Sequence, residues 1–162
     1  MIPVILFSGY SNSGKTTVIA DVVSNLTARG YEITTIKHHR GDFELGGKEK
    51  DSSKHMRAGA NRVILSSDTQ LIDIIKLKSE KSLENILKNI RDTDLIVVEG
   101  YKGTSYPKIE VYRSGTGHRR IEKDRNVIGV VSDIAMEESV PCFDFGEIEK
   151  LSDFIENLFL KI

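Results

Sequence analysis

Tryptophan is absent from the 162 residues, proline occurs 3 times, and there is 1 cysteine, Cys142. One thiol closes no intrachain disulfide, and without a nearby partner it does not suggest a zinc centre, so a reducing cytoplasm is the expected compartment. Neither sign of charge is in excess: 23 Lys and Arg stand against 24 Asp and Glu, leaving a net charge of -1. A chain this balanced has no overall field to hold nucleic acid or an anionic membrane, and neither is expected as a partner. No apolar run reaches the roughly 18 residues of a membrane span, and MIPVILF at the start carries no basic leader and is too short for a signal peptide. What remains, 39% hydrophobic and 29% charged residues, is the composition of a folded protein, and the length suits one domain spanning residues 1–162.

IPVILFS, residues 2–8, is a continuous run rich in branched side chains, as in a strand buried on both faces. After GYSNSGKTT, the residues Val18, Ile19, Val22, Val23 and Leu26 recur at helical spacing until Arg29 and Gly30 stop the helix. YEITTIK (31–37) reads as a second strand, followed by an exposed polar loop, HHRGDFELGGKEK (38–50). Asp51 or Ser52 caps a short helix through Arg57, closed by Gly59; NRVILSS (61–67) and LIDIIKL (71–77) read as strands, and residues 79–91 as a helix. DLIVVEG (94–100) is a buried strand ending in an acid, PKIEVYR, NVIGVVS and PCFDF are further strands, and an amphipathic helix closes the chain from Ile148 to Phe159. Such alternation predicts an α/β protein with right-handed crossovers and a mostly parallel, mixed central sheet covered on both faces, with ligands beyond the carboxyl ends of its strands.

Residues Gly9 to Thr16 match G-x-x-x-x-G-K-[ST] between a buried strand and a helix. The fold this implies is the three-layer P-loop NTPase fold. Gly9 and Gly14 permit backbone conformations that let successive N–H groups converge on phosphate oxygens, helped by the helix dipole. Gly9, Ser11, Asn12, Ser13, Gly14, Lys15, Thr16 and Thr17 are therefore the candidate nucleotide-binding set. Lys15 would reach the β and γ phosphates, and Thr16 would offer its hydroxyl to Mg2+. Glu99 ends a hydrophobic strand, the place from which an acid binds Mg2+ directly or through water, whereas Asp94 at the other end suits capping. Two roles are open to Asp51: orienting a metal-bound or attacking water, or capping the short helix. His38 and His39 fit either phosphate or metal binding or simple exposure, and GTGHRR (115–120) with Arg113 fits an anionic ligand or a solvated loop.

Three segments, GYSNSGKTT, IKHHRGDFELGGKEKDSSKHMRAGA and DLIVVEGYK with PKIEVYR following, together resemble the molybdopterin-guanine dinucleotide biosynthesis protein B (MobB) family across nearly the whole chain. The phrases KDSSKHMRAGA and VEGYK carry more of this resemblance than the phosphate loop does. Where the family's pattern has several His after the second strand and a Gly before Lys-Asp-Ser, this chain has His38, His39, Arg40 and Gly41, and Glu49 in place of that Gly. The resemblance implies a weak Mg2+-dependent GTPase working as an adapter to the guanylyltransferase MobA, which attaches GMP to molybdopterin, and a homodimer in which exposed strands extend the sheet. It places the phosphates on Gly14, Lys15, Thr16 and Thr17 and Mg2+ beside Asp51 and Glu99. It makes Asp133, after VVS, a candidate reader of the guanine edge, with a helix N-cap as its other role. No Arg or Gln is set by spacing to complete hydrolysis, leaving Arg40, Arg119 or a partner to supply one. The alternatives are a small-molecule kinase with residues 113–120 as lid, a metal-delivery GTPase, for which Cys142 and the scattered His form no convincing cluster, and a phosphate loop kept only as a turn.

Overall fold

In a computed structural model, residues 1–39, 41, 51–118, 120 and 125–161 are described. The elements run β1 (Val4–Ser8), α1 (Lys15–Ala28), β2 (Ile33–Lys37), α2 (Asp51–Arg57), β3 (Arg62–Ser66), β4 (Leu71–Ile75), α3 (Leu83–Leu87), β5 (Leu95–Glu99), β6 (Lys108–Tyr112), a 3-10 turn (Ser114–Thr116), β7 (Val127–Ser132), β8 (Cys142–Phe143) and α4 (Ile148–Phe159). They divide into two compact units, Met1–His38 with Ile90–Ile162, and His39–Asn89.

The first unit is a 6-stranded sheet in the order β2-β5-β1-β6-β7-β8, and every neighbouring pair in it is parallel. The antiparallel pairing expected within a mixed sheet falls instead in the separate β3–β4 hairpin of the second unit. All five residues of β1 are buried, which is why its sequence shows no polar alternation. Ile5, Phe7, Val97 and Ile109 line one sheet face and pack with Val22 and Leu26 of α1 and Leu151 and Ile155 of α4. Val4, Leu6, Ile96 and Val98, on the alternate positions, are buried as well. The chain reverses direction at β1, leaving toward β2 on one side and returning to β6 on the other, so the loop after β1 sits at a topological switch point.

Local chemistry sets the element ends. Gly30 terminates α1 in the left-handed region, φ 94°, and the Gly30 and Tyr31 N–H groups donate to the last-turn carbonyls of Thr27 and Leu26 at 3.0 and 3.2 Å. Asp94 accepts the Glu32 N–H at 2.8 Å and so ties the start of β2 to β5, the capping role its position suggested. Helix α3 is shorter than the expected 79–91: Ser82 Oγ caps it by accepting the Asn85 N–H, and only Leu83 is buried. With one buried side chain, little packing opposes the poor helix formers Asn89, Ile90 and Asp92 that follow. Glu156 of α4, buried, accepts from Arg29 (2.7 Å), Tyr31 (2.9 Å) and Lys161 (3.1 Å); the Lys161 bond first, then those from Tyr31 and Arg29, hold its carboxyl below the ordinary range against the opposing effect of burial. β6 carries a buried carboxylate, Glu110, which Arg120 engages at 2.6 and 3.2 Å while also pairing with Glu138.

The second unit contains α2, the β3–β4 hairpin and α3. Helix α2 starts at Asp51 and is followed by Gly59 at φ 111°, close to the reading from sequence. Both faces of the hairpin carry exposed apolar side chains: Leu65 and Ile72 pair on one, Ile64, Leu71 and Ile75 share the other. Arg62 and Asp73 bridge diagonally across it at 2.6 and 2.9 Å. Among the described residues no helix is long and apolar enough to cross a membrane. The polar loop expected at 38–50 lies mostly outside the described residues, as do Arg40, Glu49 and Arg119.

Candidate phosphate-binding site

Strand register assembles the site. Glu99 is the pairing partner of Phe7 on β1 and of Lys37 on β2, so the strand-end acid and the last lysine of β2 arrive level with the start of the phosphate loop. Gly9 turns the chain out of β1 at φ 154°, where a Cβ would lie 2.3 Å from the Val111 carbonyl oxygen and 2.8 Å from Ser13 Oγ. Asn12 (φ 64°) and Gly14 (φ 93°) take left-handed conformations, folding Ser11 to Ser13 into a tight arch closed by the Ser13 N–H on the Tyr10 carbonyl at 3.3 Å. Helix α1 then begins at Lys15 with no side-chain cap and no acid in its first turn. The first-turn donors, Lys15, Thr16 and Thr17, have no intrahelical acceptor and face the arch with the positive end of the dipole.

Three ammonium groups gather here. Lys15 Nζ donates to the Tyr10 carbonyl at 2.6 Å. Its pKa is lowered, first by burial and then, against the pull of Glu99, by the charges of Lys102 and Lys37. Lys37 Nζ lies 3.2 Å from Glu99 Oε2 and 3.4 Å from Thr16 Oγ1, and Thr16 Oγ1 donates toward both Glu99 oxygens at 3.3 and 3.4 Å. A hydroxyl and a carboxylate thus converge on a point that a cation already occupies. Hard oxygen donors of this kind, one hydroxyl and one carboxylate, suit Mg2+, which takes few protein ligands and completes its shell with water and phosphate. Ser13 Oγ is buried and is the one such side-chain atom without a hydrogen-bond partner among the described residues, as expected of a hydroxyl whose acceptor is a ligand. These residues fit a nucleotide with its metal.

Around the arch, the Tyr10 ring stacks on His118 at 4.4 Å, and Lys102 Nζ lies 4.9 Å from its centre. Gly100, at φ 108°, is required where the chain leaves β5, because a Cβ there would stand 2.7 Å from His38 Cβ. His38 packs against Tyr101 at 4.5 Å and His39 is exposed. Of the residues singled out in the sequence, the structure brings together Gly9 to Thr17 and Glu99. Asp51 belongs to the second unit, where its exposed carboxylate stands 3.6 Å from Lys54. Asp133 follows β7; its oxygens accept the Ser114 N–H and hydroxyl at 2.8 and 2.9 Å, so it caps the 3-10 turn rather than a helix of its own. The Ser114 N–H is the main cause of its lowered pKa. Lys102 and Tyr10 were not marked from the sequence as site residues. Their signal was position, one following VEGY and the other inside the phosphate loop.

A parallel sheet whose phosphate loop joins β1 to α1 at the switch point defines the P-loop NTPase fold. The model of the family described as "Molybdopterin guanine dinucleotide synthesis protein B" matches residues 4–133, and the chain belongs to this MobB family. It is 36% identical to the molybdopterin-guanine dinucleotide biosynthesis adapter protein of Escherichia coli (strain K12), covering 96% of this chain and 92% of that one. The Haemophilus influenzae protein of the same description is 32% identical, over 96% of this chain and 89% of its own. A solved crystal structure of molybdopterin-guanine biosynthesis protein B superposes with a TM-score of 0.77 at 27% identity, covering 96% of this chain and 99% of that chain.

Proposed function

We propose that the chain binds GTP with Mg2+ at the phosphate loop, hydrolyses it slowly, and serves as an adapter to a MobA-type guanylyltransferase when GMP is attached to molybdopterin. The convergence of Lys15, Lys37 and Lys102 on a loop whose Thr16 and Glu99 already hold a cation carries the nucleotide part. The adapter part follows from the described role of the relatives. In this reading Lys15 leaves the Tyr10 carbonyl for the β and γ phosphate oxygens, and the N–H groups of Gly14 to Thr17 surround the remaining oxygens. Thr16 and Glu99 would hold Mg2+, which supplies neutralisation of charge on the transferred phosphoryl group.

Calorimetric titration with GTP and then ATP, each with and without Mg2+, followed by phosphate release, tests this. A Mg2+-dependent preference for GTP with turnover far below the ~1 s⁻¹ of working kinases supports it; preference for ATP, or hydrolysis only with an added metabolite, turns the reading to a small-molecule kinase. Glu99→Gln is expected to weaken the Mg2+ dependence of binding and to slow turnover about tenfold or more. An unchanged Mg2+ response in that variant removes Glu99 from the site.

The proposed assembly is a homodimer built on the β3–β4 hairpin. A hairpin apolar on both faces, with Leu71 at 69% and Ile64 at 53% exposure, is marginal alone and needs cover. Light scattering should give twice the chain mass, and Ile64→Lys with Leu71→Lys should halve it. Retention of the dimer by that double variant would place the interface elsewhere.

A further inference from the structure

Two side chains outside the phosphate contacts press on Gly14. A Cβ placed there would lie 3.2 Å from Phe145 Cε1 and 3.3 Å from Arg113 Nη2. The two also meet each other, with the Arg113 guanidinium carbon 4.1 Å above the centre of the Phe145 ring. Arg113 follows β6, Asp133 follows β7 and Phe145 follows β8. These strands are neighbours in the sheet, so the three residues form a row of strand ends beside the loop.

The turn that presents Phe145 is pinned. The Gly146 N–H donates to Asp144 Oδ1 at 2.8 Å, the Asp144 N–H to Glu147 Oε2 at 3.0 Å, and the Glu147 N–H to the Asp144 carbonyl at 2.9 Å. Phe145 is half-buried against the core, and Arg113 is exposed. The guanidinium therefore has an aromatic ring on one side and solvent on the other, and among the described residues no printed ion pair or side-chain hydrogen bond commits it elsewhere. A guanidinium is planar and weakly hydrated, and nucleobases stack on such planes.

We propose that Arg113, held over Phe145, is the stacking surface for the purine base of the bound nucleotide, an inference that rests on the nucleotide binding proposed above. The phosphates engage the first turn of α1, and the base lies toward the β6 to β8 strand ends, where Asp133 is also found. Phosphate binding is the competing use of Arg113, and the two differ in what a ligand without a base would feel.

The test is calorimetry of the full chain with GTP and with inorganic tripolyphosphate, both in Mg2+. Arg113→Lys keeps the charge and loses the plane, and Phe145→Leu keeps apolar bulk and loses the ring. Each should lower GTP affinity about tenfold and leave tripolyphosphate affinity within about twofold, whereas Lys15→Ala should lower both. GTP affinity unchanged in both variants overturns the stacking surface while leaving the nucleotide site intact. Equal losses for the two ligands assign Arg113 to the phosphates and overturn it as well. Failure of the parent protein to bind GTP removes the proposed function and this inference together. If Phe145→Leu does not fold, Arg113→Lys, at an exposed position, decides alone.

Discussion

Lys15→Ala should lower the affinity for GTP by about 1.5–3 kcal/mol, the usual worth of charge-assisted contacts. The Lys15 ammonium is partly withdrawn from water, which lowers its pKa, so its charge is weakly screened and acts strongly on a phosphate oxygen. The effect should stop short of abolishing binding, because Lys37 and Lys102 remain close to the same place and the first turn of α1 keeps its donors. Calorimetric titration of the variant with GTP checks it. Unchanged affinity would reduce GYSNSGKTT to a turn that starts a helix.

Gly9→Ala should cost about 3 kcal/mol of stability or more, the largest folding effect expected of a single methyl group in this chain. Its φ of 154° is a conformation side chains rarely adopt, and the added Cβ would stand 2.3 Å from a backbone oxygen of Val111. That oxygen belongs to β6, which pairs with β1, so relief requires moving a central strand rather than turning a side chain. Denaturant unfolding measures the loss. A change below about 0.5 kcal/mol, the ordinary range for an innocuous substitution, would mean that β1 and β6 separate freely at this end. Gly100, also at positive φ but opposed by the movable His38 side chain, should be more forgiving.

The strands, α1 and α4 were legible because their patterns are local. A run such as VILF buried on both faces, or Leu151 and Ile155 a turn apart, declares itself without reference to the rest of the chain. Phosphate-loop residues were legible for the same reason, since Gly9 to Thr16 are contiguous and their chemistry is backbone chemistry. Sequence did not disclose that Lys37 would meet Thr16 and Glu99, because the register of two parallel strands decides it. Nor did it reveal that Arg113 and Phe145 would meet across the ends of β6 and β8, which are separated by a strand. The Glu110–Arg120 pair was hidden by its setting, because a buried acid in PKIEVYR reads from sequence as the polar half of an alternating strand. α3 was overread because apolar spacing persists beyond the point where burial ends.

Lys15 on the Tyr10 carbonyl and Lys37 on the Thr16–Glu99 pair mean that the ligand-free site is already satisfied by its own side chains. Loading it is a change of partners, in which each new contact is made by breaking an old one of similar kind. Such a site takes up its ligand without a gap to fill and lets it go without leaving bare charge behind. Ready release suits a protein whose task is to hand something on.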